Sequence, residues 1–225
     1  ATIVGLCASL LTAFTGDNSA YQVARVQPMK LAAMEALYQG GKGQSLSLVA
    51  SVPLCGQPDY RNEQEPPYRI GIPKALSFMA THDFNGYVPG VNNIIQGYVK
   101  DDGSKEPSVA EKIKRGRMAI AALQQYRAGK KDATTRKTLA DNIKYFGYGY
   151  VKSADQIVPN IPLNFWAFRI MVGLGFLFIL FFVVSGHVGW RKDISQRRWR
   201  WLHISAIVLV PLAYVASEAG WIVAE

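Results

Sequence analysis

Between Leu163 and Gly186 the chain runs for 24 residues with one charge, Arg169. At about 1.5 Å of rise per residue, such a helix crosses a hydrocarbon core of roughly 30 Å. A second stretch, Leu202 to Glu225, has the same length class and is interrupted by His203 and Glu218 before ending on Glu225. Two segments of this kind leave no place for them inside a small soluble core. They make the chain a membrane protein. Ala1 to Phe14 is also apolar and uncharged, but too short to span. It has no starting methionine and no basic lead-in, so it reads as the last part of a membrane helix and not as a signal peptide. The chain therefore reads as a fragment of a longer membrane protein.

Charge sets the expected orientation. Trp190 to Trp201 carries Arg191, Lys192, Arg197, Arg198 and Arg200 against the single acid Asp193. A short basic connector between two spans belongs on the cytoplasmic side. The region from Asp17 to Pro162 then lies outside the cytoplasm. It holds 19 of the 25 Lys and Arg residues, interleaved with 13 acids. The net charge of +9 thus reflects topology and a solvated loop. No nucleic-acid recognition motif accompanies it, so nucleic acid is not an expected partner.

The expected architecture is an all-α membrane protein, a transmembrane helix-bundle fragment with a large, mostly helical extracytoplasmic loop. Its expected divisions are 1–15, the end of a transmembrane helix; 16–162, the loop; 163–186, a transmembrane helix; 187–200, the cytoplasmic connector; and 201–225, a transmembrane helix. Within the loop, Gln27 to Tyr38 reads as a helix with Pro28 near its first turn. Leu46 to Pro53 alternates loosely and suggests a short strand. Gln57 to Pro67 is polar, proline-rich and irregular. Ile72 to Ala80 suggests a short helix after Pro73, and Asn85 to Gly90 a turn. Val109 to Arg127 has helical periodicity, and Thr134 to Phe146 reads as a second amphipathic helix ended by Gly147. Cys7 and Cys55 form no CxxC or CxxCH pattern, so neither zinc nor covalent haem attachment is suggested. Cys7 is expected as a small buried apolar residue, and a Cys7–Cys55 bridge is left to geometry.

Several side chains stand out against this background. An arginine inside a span is costly unless it serves a site or reaches the interface, and Arg169 lies near one end. Met171 supplies a thioether, which either packs or ligates iron. Positions two apart on a helix point about 200° from each other, so Arg169 and Met171 do not share a face. Glu218, Trp221 and Glu225 fall on one stripe at i, i+3 and i+7. Carboxylates on such a stripe face protein, water or cofactor. Lys30 and Glu35 are about 140° apart around a helix, and a solvated face is their plain reading. Asp17 follows Gly16 and suits a cap or turn. His82, His187 and His203 read as solvated or interfacial.

Three blocks carry a family resemblance. They are Gly16-Asp-Asn-Ser-Ala-Tyr21 with Gln27-Pro-Met-Lys-Leu-Ala-Ala-Met-Glu35, then Phe165 to Phe176, then Glu218-Ala-Gly-Trp-Ile-Val-Ala-Glu225. In order and spacing the chain resembles subunit I of the cytochrome bd-type quinol oxidases. The resemblance is strong in the blocks and loose between Gln39 and Pro159. It implies a respiratory terminal oxidase of the bacterial cytoplasmic membrane, a quinol:oxygen oxidoreductase. Its cofactors would be a low-spin haem b, a high-spin haem b and haem d, with ubiquinol or menaquinol as substrate. Lys30, Glu35 and, more weakly, Asp17 would bind and oxidise quinol. The carboxylate would take a hydroxyl proton, and the ammonium would hold the partner oxygen. Met171 would be an axial ligand of the low-spin haem b iron, with Arg169 offsetting propionate charge. Glu225 would ligate the high-spin haem b iron, Trp221 would pack on a porphyrin, and Glu218 would handle protons or set polarity.

The resemblance also implies partners: the remaining helices of subunit I, a homologous subunit II, a small accessory subunit and membrane lipid. The chain departs from the family by lacking the preceding helices, and by stopping where the family continues with a glycine-arginine-glutamine-proline-tryptophan motif. The fragment alone is not expected to hold every haem or to be active. Two other readings stay open at this level. A membrane dihaem cytochrome b would show paired histidines within its spans. A non-enzymatic receptor or assembly protein would bind no haem.

Overall fold

The computed structural model describes residues 1–54, 60–61, 68–191 and 199–224. Glu225 and Cys55 lie outside the described residues, and so do the expectations placed on them. Eight α-helices and six short strands are described. They are α1 (Thr2–Val26), α2 (Pro28–Met34), β1 (Gly41–Lys42), β2 (Leu46–Ala50), β3 (Arg69–Ile72), α3 (Ala75–Thr81), β4 (Tyr87–Val88) and α4 (Val91–Gln96). There follow β5 (Tyr98–Val99), β6 (Lys105–Glu106), α5 (Val109–Arg127), α6 (Ala133–Asn142), α7 (Ile161–Arg191) and α8 (Arg200–Ala224). Two 3-10 segments, Ile143–Tyr150 and Ala154–Gln156, join α6 to α7. The strands pair antiparallel as β1–β4, β2–β3 and β5–β6. They are short two-stranded ladders within a helical membrane protein.

α7 and α8 are long and apolar enough to cross a membrane. Their exposed residues are mostly large hydrophobics, as lipid or neighbouring helices require. A Cβ on Gly220 of α8 would lie 3.1 Å from Met171 Sδ of α7. The end of α8 therefore packs on the start of α7, so the two helices run antiparallel. A Cβ on Gly5 of α1 would lie 2.4 Å from Phe182 of α7, so α1 is antiparallel to α7 as well. Glycine at these two points lets helices approach closely, as in other membrane interfaces.

α1 continues without a break through Gly16 and Asp17 to Val26, where a turn after Gly16 was expected. Asp17 is an exposed helical residue and caps nothing. Cys7 is exposed, contrary to the expectation of a buried residue. No residue of α1 is buried, because the helix rests on α7 along only part of its surface.

The loop region seats on the end of the helices formed by the start of α7 and the ends of α1 and α8. Its hub is α2, whose Met29, Leu31, Ala32, Ala33 and Met34 are all buried. One side of α2 joins Tyr38, Val91, Ile94, Ile161 and Phe165 in a core. The other side joins Leu37, Leu76, Ala80 and Val88, with Phe168 and Val223 packed against them. Each large apolar side chain buried here contributes about 1.5–3 kcal/mol. α2 is shorter than the helix expected over 27–38. α5 matches its expected span. α6 stops at Asn142, and the chain continues as a 3-10 segment through Gly147 to Tyr150. Gly147 therefore ends nothing. The helix tightens because α5 meets this segment backbone to backbone, at Gly116 and Gly149.

Candidate functional site

The site begins at the C-terminal end of α2. A helix end leaves its last carbonyls without intrahelical partners. Here Leu37 N–H donates back to Ala32 O at 2.9 Å, and Ala36 N–H donates to Ala33 O at 3.1 Å. This is the Schellman pattern, with Ala36 in the left-handed position at φ 46° where glycine is usual. The remaining carbonyls take guanidinium donors. Arg169 Nη1 donates to Met34 O, and Arg69 Nη2 donates to Glu35 O at 3.3 Å and Ala36 O at 3.1 Å. Cations at this end also match the sign of the helix dipole.

The turn sends the Glu35 side chain inward, where the residue is 1% exposed. Its Oε2 accepts from Arg169 Nη2 at 3.0 Å and from Ser47 N–H at 3.1 Å. Arg169 comes from the first turns of α7. It also donates to Ser47 O at 2.8 Å and to Phe165 O at 3.1 Å, and its guanidinium lies 3.5 Å from the Phe165 ring centroid. Two charges that are each expensive alone become tolerable together, because each desolvated charge has an opposite partner and further hydrogen bonds. Burial raises the Glu35 pKa above its usual 4.5, and Arg169, the Ser47 N–H and Arg69 pull the other way. Glu35 Oε1, Ser47 Oγ and Arg169 Nε are buried without hydrogen-bond partners among the described residues. A water or a polar ligand group would satisfy them.

Lys30 and Glu35 do not meet. Lys30 Nζ donates to the Ala224 carbonyl at the end of α8. Lys30 also borders a groove of about 930 Å³ with Tyr21, Tyr87, Tyr98, Lys112 and Tyr148, and Glu35 does not line it. Burial pushes the Tyr98 phenol up to about 12, so it stays a proton donor throughout the physiological range. Asp17 lies on the exposed surface of α1.

Met171 lies one half-turn beyond Arg169, partly buried against Gly220. Trp221 is 62% exposed, and Glu218 is exposed beside it in sequence space on the α8 surface. With Ile207, Val210 and Tyr214 they form one exposed stripe. A carboxylate on an otherwise apolar stripe needs a neighbour or cofactor to cover it. A thioether between spans and a carboxylate-bearing aromatic stripe fit haem by donor chemistry.

A family model for cytochrome bd terminal oxidase subunit I matches residues 1–225. The chain belongs to that family. It is 30% identical over 241 aligned residues to cytochrome bd-II ubiquinol oxidase subunit 1 of Escherichia coli, covering 100% of this chain and 43% of the relative. It is 29% identical to cytochrome bd ubiquinol oxidase subunit 1 of Bacillus subtilis, covering 100% of this chain and 36% of that protein. The chain thus spans less than half the length of either relative. The bd oxidase structure from Geobacillus thermodenitrificans aligns over 97% of this chain and 35% of its own, with a TM-score of 0.54 and 22% identity. That likeness bears on the fold.

Residue type and spacing point to Glu35 and Arg169 singly and for separate roles, and the structure joins them in one pair. A signal existed: Glu35 is the one acid among the apolar residues of 31–38, and Arg169 is the one charge in 163–186. Two lone opposite charges in apolar settings are natural partners. Ser47 and Arg69 carried no such signal, since their roles depend on strand pairing.

Proposed function

We propose that this chain is the quinol-oxidising segment of a respiratory terminal oxidase, a quinol:oxygen oxidoreductase of the bacterial cytoplasmic membrane. Loop 16–162 faces away from the cytoplasm, and the rest of subunit I, a subunit II, a small accessory subunit and lipid complete the assembly. The observation that carries the reading is the buried Glu35 carboxylate, held by Arg169 where the loop meets α7. Quinol oxidation releases two protons and two electrons. Glu35 accepts a hydroxyl proton at its unbonded Oε1. Arg169 keeps Oε2 fixed and offsets negative charge that develops nearby. Lys30, at the helix-end surface, attracts the polar head of the quinol from the groove side. Asp17 adds an acidic group on the exposed surface of α1, before the chain leaves that helix.

Met171 would hold a low-spin haem b iron and Glu225 a high-spin one, with Trp221 and Glu218 lining the porphyrin side of α8. Haem, when bound, supplies one-electron transfer, and haem d supplies the oxygen chemistry. The test is a reduced-minus-oxidised spectrum of the full-length complex with Met171→Leu. We expect selective loss or a spin change of the low-spin haem b band, with haem d retained. An unchanged band would remove Met171 from the site, and a wild-type complex without haem bands would sink the oxidase reading.

A further inference from the structure

The β2–β3 hairpin reaches the Glu35–Arg169 pair from two adjacent strands. Ser47 on β2 donates its N–H to Glu35 and accepts from Arg169 through its carbonyl. Arg69 on β3 donates to the Glu35 and Ala36 carbonyls. Resting on the reading above, we propose that Arg69 is a positioning residue for quinol oxidation. It fixes the turn after α2 and so the direction in which Glu35 presents its carboxylate.

Three observations carry this. First, the turn is strained: Ala36 sits at φ 46° and is fully buried. An L-residue there costs about 1 kcal/mol, so the conformation persists only where the surroundings enforce it. Arg69 bridges the carbonyls on both sides of that strained residue's peptide. Second, the β2–β3 ladder brings Ser47 and Arg69 to the same turn after α2, although they do not pair with each other. Ala50 pairs with Arg69 and Ser47 with Gly71, with a register shift between Ser47 and Val49. A Cβ on Gly71 would lie 2.3 Å from Leu46 O, so this close pairing admits glycine alone. Third, Arg69 is half-buried beside a carboxylate that already has one guanidinium. Its charge favours the ionised form of Glu35, which is the form able to accept a proton.

Arg69 acts through Glu35, so its loss should affect turnover more than quinol binding. The test uses the full-length oxidase complex carrying Arg69→Met, Arg69→Lys or Glu35→Gln. Oxygen uptake is measured with a quinol and with tetramethyl-p-phenylenediamine, a one-electron donor that supplies no hydroxyl protons. We expect Arg69→Met to lower kcat on quinol about ten-fold, the scale of lost hydrogen bonds to a charged donor, with KM changed less than two-fold or so. We expect Arg69→Lys to recover part of the loss, and the one-electron donor to be oxidised at the wild-type rate by both. Unchanged quinol turnover in Arg69→Met, while Glu35→Gln is inactive on quinol, overturns the role of Arg69 and leaves the proposed function standing. Parallel loss with both donors also overturns it, because the residue would then serve folding or haem integrity. Full quinol activity in Glu35→Gln overturns the underlying reading itself.

Discussion

Glu35 shows how one residue takes its chemistry from its surroundings. In water its carboxyl would titrate near 4.5, but burial outweighs Arg169, the Ser47 N–H and Arg69 and raises the pKa. A base must be ionised to accept a proton. In the role proposed above, Glu35 takes its proton from solvent as pH falls through the raised pKa, and quinol oxidation should be lost. The acid limb of kcat/KM for quinol should therefore lie above 4.5. Arg169→Gln removes the largest of the effects that lower the pKa, so that limb should move to still higher pH. A pH–rate profile of the assembled oxidase checks both statements. A limb at or below 4.5, or one that moves to lower pH in Arg169→Gln, would remove Glu35 as the base. Glu35 and Arg169 each stood out in the sequence, but only the Ala36 turn shows that they face each other.

Among the elements, the helical part of the loop depends on a close backbone contact. α5 and the 3-10 segment Ile143–Tyr150 meet at two glycines. A Cβ on Gly116 would lie 2.3 Å from Gly149 N and 2.5 Å from Tyr145 O. Both obstacles are backbone, so no rotamer change relieves them. Gly116→Ala should destabilise the loop by about 1–3 kcal/mol through overpacking. Loss of protease resistance in the loop, measured on the assembled complex, is the readout. Wild-type resistance would show that the segment can shift at little cost. Nearby, the same subdomain buries Lys112, which pairs with Glu106 at 2.8 Å and lies over the Tyr148 ring. The α5 helix was readable from its periodicity and matches its expected ends. The 3-10 continuation of α6 was not, because it answers to the approach of Gly116 and not to any local pattern.

At the scale of the whole molecule, α7 and α8 pack antiparallel and the loop caps one end of them. α7 ends at Arg191 and α8 begins at Arg200, both toward the other end, so the basic sequence between them predicts the side on which the loop stands. In a Cys7→Ser, Cys55→Ser background, a cysteine at exposed Ser153 should react with a membrane-impermeant maleimide in intact cells. A cysteine at Ser195 should react only after the membrane is permeabilised. The reverse pattern would invert the topology and place Glu35 on the cytoplasmic side. The exposed stripe of Tyr214, Glu218 and Trp221 belongs to this scale too, since a carboxylate on an apolar stripe of a membrane helix calls for a covering neighbour.

Length and hydropathy settled the two spans from the sequence alone, because a bilayer imposes a length on any helix that crosses it. The family was legible as well, because its blocks are contiguous. What only the tertiary structure decided is how the charges meet. Lys30 and Glu35 share a block yet point to different neighbours, Ala224 and Arg169. Glu35 and Arg169 are 134 positions apart in the chain, with Ser47 and Arg69 between them, yet they form one buried cluster. Such pairings follow from strand register, a left-handed turn and the seating of α2 on α7. Each of these is a long-range packing outcome, chosen by burial over the whole loop and not encoded in any local spacing.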